Sequence, residues 1–200
     1  IGFLDCDDLW FPSKLEKQVK TFIDNPRTGL VFSDVVNVFQ KDKFYYRQFS
    51  MLKSLPPRGN IFGYLLLKYG VSFPTVLLRA DVLKTQDQWF DESFQHSTDY
   101  DLFLRISYKW DCDYVNEPLA IYRIHQSIGQ SLFGKYEGEE RLRTIQKLCS
   151  LFPEIRSKYA GIIRDCSRNI AVIKARSLWK RNMLLQARKE LLPYAWHPKI

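Results

Sequence analysis

Cysteine is scarce and scattered in this chain: Cys6, Cys112, Cys149 and Cys166 lie far apart, and no two form a C-x-x-C pair. That spacing argues against a zinc site and makes a reducing cytosol the simpler home. No apolar run approaches the ~20 residues of a membrane span, and no signal peptide opens the sequence. Zinc-finger spacing, a glycine-rich RNA-binding run and a helix-turn-helix signature are also missing. A nucleic-acid-binding protein therefore has only the net charge of +8 and the 15% aromatic content in its favour. Acids are what the C-terminal end has least of. Residues 151–200 carry 11 Lys+Arg against 3 Asp+Glu, whereas residues 1–150 carry 19 of each. The basic excess is confined to one end, and no nucleic-acid partner is expected.

What is present is 200 residues with 46% hydrophobic content, enough to bury a substantial core. The chain opens on Ile1-Gly2-Phe3-Leu4, an apolar run that closes in Asp5-Cys6-Asp7-Asp8. This reads as the end of a buried parallel strand with acids at its carboxyl tip, where open α/β sheets bind ligands. A period of two would send Asp5 and Asp7 to one side and Cys6 to the other, so that two hard oxygen donors converge. Such a pair suits Mg²⁺ or Mn²⁺, which complete their shells with water and substrate phosphates. The competing reading is equally open on spacing alone: Asp7 and Asp8 cap the helix that Pro12 announces.

Beyond it, Leu15, Val19, Phe22 and Ile23 predict a surface helix packed on a sheet over Pro12 to Asp24. Gly29 to Phe39 reads as a strand, with Phe44 to Phe49 as its partner. Asp34 could contact substrate, though an acid at a strand bend is more often structural. Ile61 to Tyr69 is a short apolar helix, and Val76 to Arg79 a strand followed by a helix to about Lys84. Thr75 reads by itself as a strand-start hydroxyl bonded to backbone.

Two further stretches carry chemistry. In Thr98-Asp99-Tyr100-Asp101-Leu102-Phe103-Leu104-Arg105, the spacing of Leu102, Phe103, Ile106 and Trp110 predicts a helix buried on one side. Thr98 with Asp101 fits a capping box, and both acids suit a helix N-terminus. Cys112 to Val115 and Leu119 to Tyr122 read as two short strands around Asn116-Glu117-Pro118. The second runs into Tyr122-Arg123-Ile124-His125. Read by themselves, His125 is a hydrogen-bonded structural residue and Arg123 a surface charge.

The stretch Phe3 to Trp10, followed by Pro12 and Lys14-Leu15-Glu16, closely resembles the family-2 glycosyltransferases of the GT-A fold. The resemblance reaches to about residue 131 and takes in all three stretches in order. It implies that Asp5 and Asp7, with Asp8 nearby, hold a divalent metal (Mn²⁺ or Mg²⁺) and the diphosphate of a nucleotide-sugar donor, in the first instance a UDP-sugar. It implies that Asp99 is the general base, with Thr98 standing where the family has Glu. It further implies that His125 reaches the metal or diphosphate and that Arg123 lies on the same side. Only this resemblance makes Thr75 a weak candidate for contact with the acceptor. Inverting transfer of a hexose to a hydroxyl acceptor needs such a carboxylate to take the acceptor's proton.

The expected fold class is therefore α/β, a partial GT-A-like mixed sheet with flanking helices followed by an all-helical C-terminal region. Residues 1–135 would be the C-terminal portion of the catalytic domain, in a fragment lacking the nucleotide-binding half, and residues 136–200 a basic helical extension. In that extension Leu142, Ile145, Leu148, Cys149 and Phe152 form one stripe. Ile162, Cys166, Ile170 and Ile173 form another, and Leu184, Ala187 and Leu191 a third. Between them sit Arg164, Arg168, Lys174, Arg176, Lys180, Arg181, Arg188 and Lys189. Such helices suit either a solvated face or peripheral contact with an anionic membrane at its cytoplasmic side, where lipid-linked acceptors reside. The function expected is hexosyl transfer in polysaccharide, lipopolysaccharide or other cell-surface glycan synthesis. The alternative is an inactive remnant serving as a binding or scaffold module.

Overall fold

The computed structural model describes residues 1–39, 44–49, 54–124 and 128–195, with the main chain alone over 128–137. The chain divides into two compact units, Ile1–Phe90 with Leu102–Gln126, and Asp91–Asp101 with Ser127–Ile200.

The first unit is an α/β mixed sheet with flanking helices. Its elements are β1 (Leu9–Trp10), α1 (Lys14–Asp24), β2 (Thr28–Phe39), β3 (Phe44–Arg47), α2 (Phe62–Leu67), a 3-10 turn (Phe73–Thr75), β4 (Leu77–Leu78) and α3 (Ala80–Lys84). The body of α4 (Thr98–Lys109) and β5 (Asp111–Ile124) complete it. The strand order is β1-β5-β2-β3, with β4 also on β2; β2 and β5 run parallel and every other pair is antiparallel. β2 is central because Leu30, Val31, Phe32 and Val35 give it a β-branched and aromatic run that is buried on both faces. In the same unit Leu65 and Leu66 of α2, Val82 and Leu83 of α3, and Phe103 and Ile106 of α4 are all within 1% of full burial.

Four expectations are corrected here. Ile1–Leu4 is no buried parallel strand: Gly2 makes a single antiparallel bridge to Leu77, and Ile1 and Leu4 are about half exposed. The face of α1 is inverted. Leu15, Val19 and Ile23 (72% accessible) are exposed, while Lys14 and Gln18 are buried because the Gln18 amide donates to the carbonyls of Val31 and Thr75. The helix α4 is buried all round from Tyr100 to Ser107 rather than on one side, and it begins at Thr98, so Thr98 is not its cap. Finally, the two short strands around Asn116-Glu117-Pro118 are one, β5, which stays paired with β2 through register shifts at Asp34. An irregular step keeps the ladder going where Pro118 cannot donate.

The second unit holds α5 (Ile128–Leu151), α6 (Ile155–Lys158), α7 (Ala160–Lys180), α8 (Leu184–Leu191) and a closing 3-10 turn (Leu192–Tyr194). Ile145 and Leu148 of α5, Cys166 and Ile170 of α7 and Ala187 of α8 are buried as the stripes predict, and Ile155 of α6 is buried beside them in the same unit. Ile173 and Leu184 are not, being 44% and 49% accessible. Ala171 and Ala175, outside the predicted stripes, take inner positions along with Ala187, since small residues let α7 and α8 approach closely.

Candidate functional site

In the first unit, the acids sit in a tight loop rather than along a strand. The Asp8 N–H donates to the Asp5 carbonyl at 3.1 Å, closing a turn at Cys6-Asp7, a conformation that Asp side chains favour. Both sides of the loop are pinned. Phe3 stacks on Phe73, with ring centroids 4.9 Å apart, and joins Phe90 and Phe103 in one aromatic cluster. On the other side, the Trp10 indole N–H donates to the Pro74 carbonyl at 2.8 Å. Gly2 is required beside them, because a Cβ there would lie 2.7 Å from Leu77 and 2.8 Å from the Trp10 ring.

Arg123, at the end of β5, holds the loop from the strand next to β1. Its peptide N–H donates to Asp8 Oδ1 at 2.9 Å, and its guanidinium donates to the Asp7 carbonyl at 2.7 Å. Asp8 is only 4% accessible, and its Oδ2 is buried with no partner among the described residues. Burial pushes the Asp8 carboxyl above the usual carboxylate range; contact with Arg123 opposes this, and Asp7 and Asp5 add to it. Burial first, and then Asp7, raise Asp5 as well. These carboxylates make one another costly to ionise, which is the condition a cation relieves.

Among the described residues no three His, Cys, Asp or Glu side chains are grouped to hold a metal ion. Mg²⁺ and Mn²⁺ do not need three. One or two carboxylates with water and substrate phosphates suffice, and an orphaned buried carboxylate oxygen beside two further acids fits that chemistry. His125 lies outside the described residues.

Asp99 belongs to the second unit. It is half-buried in the first turn of α4, where its Oδ1 accepts the Tyr100 N–H at 2.8 Å. Asp101, two residues on, is fully buried and ion-paired at 3.0 Å with Lys147, which also holds Asp91 at 2.8 Å. The Lys147 and Ser93 hydrogen bonds draw the Asp91 carboxyl well below the usual range. Of the two acids opening α4, Asp99 is thus the one a solvent-borne substrate can reach.

The lead-in to that turn is held by a residue the sequence reading passed over. Glu140 of α5 accepts the N–H groups of Gln95, His96 and Ser97 at 2.7, 2.9 and 2.8 Å. Burial alone would raise its carboxyl, but these three donors outweigh it and the net shift is downward. The signal was available: Glu140 stands four and eight residues before Thr144 and Leu148, on the buried stripe of α5. Lys14 was missed in the same way. It is fully buried, with its ammonium on the Gln18 amide oxygen and 4.5 Å from the Trp10 ring centre, and desolvation lowers it to about 7.

Two weaker candidates resolve as structural. Thr75 is buried and donates to the Ser72 carbonyl at 2.6 Å. Asp34 accepts the N–H groups of Val35 and Phe49 and the Arg47 guanidinium, fixing the bend where β2 changes register.

No known family profile matches the chain. Over 134 residues it is 27% identical to a protein of Methanocaldococcus jannaschii named as an uncharacterized glycosyltransferase, a match that takes in 62% of this chain and 41% of that protein. The chain thus spans about two-fifths of the length of this curated relative. The likeness supports a glycosyltransferase, and the α/β mixed sheet with its helical C-terminal region is compatible with part of such a fold.

Proposed function

We propose that the chain is the C-terminal part of a family-2 glycosyltransferase that transfers a hexose from a UDP-sugar to a hydroxyl acceptor with inversion, in the synthesis of a cell-surface glycan. The observation that carries this reading is the acid loop, where the orphaned Oδ2 of Asp8 lies in one short turn with Asp5 and Asp7, and Asp7 and Asp8 are tethered to Arg123. In it Asp5 and Asp7 hold Mn²⁺ or Mg²⁺ and the donor diphosphate, with Asp8 beside them and Arg123 and His125 on the diphosphate side. A divalent cation there supplies Lewis-acid stabilisation of the departing diphosphate. Asp99 accepts the proton of the attacking hydroxyl. Glu140 keeps the turn that bears Asp99 in place by occupying the three N–H groups before it.

Titration calorimetry with UDP, with and without Mn²⁺, tests the reading. Heat that requires Mn²⁺ and vanishes in Asp7→Ala is the expected result. No heat in the unaltered chain would leave the alternative, a remnant acting as a binding or scaffold module.

A further inference from the structure

The hairpin formed by α7 and α8 is built the wrong way round for a helix pair that faces only water. Its inner contacts are made by Ala175 and Ala187, while Trp179, Leu184 and Leu185 stand outside at 69%, 49% and 78% accessibility. These three flank a single turn. The turn is fixed, not loose: Met183 N–H donates to the Leu178 carbonyl and Asn182 N–H to the Trp179 carbonyl, both at 2.9 Å, and Asn182 takes φ 61°. That is a Schellman closure with Asn in the left-handed position, so the apolar side chains are presented with little ordering left to do.

The charge around the turn has a pattern as well. Arg168 and Lys174 are turned toward acids, pairing with Asp165 at 3.3 Å and with Glu190 at 3.3 Å. Arg176, Lys180, Arg181, Arg188 and Lys189 are exposed and have no carboxylate partner among the described residues. Arg156, Lys158 and Arg164, near the start of α7, are also exposed without a carboxylate partner among the described residues, but five such cations flank the turn where the indole and leucines protrude.

We infer that the α7–α8 turn is a membrane-docking tip, in which Trp179, Leu184 and Leu185 enter the headgroup boundary of an anionic bilayer while Lys180, Arg181 and Arg188 contact the lipid phosphates. An amphipathic aromatic and two leucines ringed by Lys and Arg match the composition of interfacial segments. The bilayer's negative surface potential supplies the matching charge. Among the described residues no helix is long and apolar enough to cross a membrane, so the contact is peripheral. The inference stands independently of the proposed catalysis.

Vesicle co-sedimentation of the whole chain tests it, comparing pure phosphatidylcholine with phosphatidylcholine containing one-third phosphatidylglycerol. The chain is expected to sediment with the anionic vesicles only. The affinity should fall at least tenfold in Trp179→Ala/Leu185→Ser and in Lys180→Glu/Arg181→Glu. It should be unchanged in Leu151→Ser, a leucine at the end of α5 that is as exposed as Leu184. Circular dichroism melts check that each variant folds; Leu185→Ser alone, at the most exposed position, serves if the double variant does not. No sedimentation, equal sedimentation with both vesicles, or full binding by the folded tip variants would each overturn the proposal.

Discussion

Arg123 and Asp8 are 115 residues apart in sequence and joined by a 2.9 Å hydrogen bond from the arginine peptide N–H to the carboxylate. That bond, with the guanidinium on the Asp7 carbonyl, ties the acid loop to the end of the long central pairing of β2 and β5. Since half of this tether is backbone, Arg123→Ala keeps one link and loses the other. The expected cost is about 1 kcal/mol of stability, as for one partly exposed hydrogen bond. Mn²⁺-dependent UDP binding should weaken more than stability does. Urea unfolding beside calorimetry separates the two, and equal, small effects on both would remove Arg123 from the diphosphate side.

Asp8→Asn keeps an oxygen for the Arg123 N–H and removes a charge that the fold resists. The folded Asp8 and Asp5 carboxyls are raised above their unfolded values, so the folded chain binds those protons more tightly. The cost of ionising them is fully present above the raised values and disappears as pH falls through them toward the unfolded value. Without divalent cation, Asp8→Asn should therefore melt higher than the unaltered chain at pH 7, by on the order of 2–4 °C for each kcal/mol recovered. The advantage should shrink toward pH 4, and added Mn²⁺ should stabilise the unaltered chain more than the variant. A melting series over pH, with and without Mn²⁺, reads all three; an Asp8→Asn variant less stable at every pH would contradict the argument.

Lys14 gives the opposite kind of titration. Its folded value of about 7 lies below the unfolded 10.5, so the folded chain binds this proton less well. The penalty is complete below pH 7 and is relieved as pH rises from 7 to 10.5. Lys14→Met should flatten that rise, stabilising the chain at pH 6 by up to a few kcal/mol, less about 1 kcal/mol for the Gln18 contact it gives up. Denaturant midpoints at pH 6, 8 and 10 decide it.

Glu140→Ala should cost about 2–4 kcal/mol, because three N–H groups lose their acceptor at once. Glu140→Gln, which retains a carbonyl oxygen, should cost less. If Asp99 is the base, both variants should lower kcat for UDP release more than they raise KM. A variant that is destabilised yet keeps its full kcat would show that the Glu140 contact serves stability alone.

The element types were legible because local pattern and tertiary demand agree for them. The β-branched run of β2 and the Asn25-Pro26 stop after α1 behave as their residues dictate, whereas α2 spans Phe62–Leu67 rather than Ile61 to Tyr69 and is capped by Lys68. Where the reading failed, a polar residue had found partners far away in sequence. Gln18 turns α1 over because the carbonyls of Val31 and Thr75 await it, and Lys14 follows onto the Gln18 oxygen and the Trp10 ring; a hydrophobic count cannot register an amide that satisfies two main-chain carbonyls. The local geometry of the acid stretch differs from the expected one. Alternation along a strand was to bring Asp5 and Asp7 together, but a turn and the Arg123 peptide do the gathering.

One irregularity in the sheet decides whether that tether exists. Val115 stands opposite Ser33 and Ala120 opposite Val35, so β5 advances five residues while β2 advances two. Shorten this surplus by a single residue and everything beyond it must slide or roll over. Sliding would hand Asp8 the amide of Ile124 and set an isoleucine where the guanidinium now grips the loop; rolling would aim the Arg123 amide back at β2. Asn116-Glu117-Pro118 is thus a spacer whose length, more than its composition, is under constraint. Substitutions there should be borne easily, and insertions or deletions hardly at all.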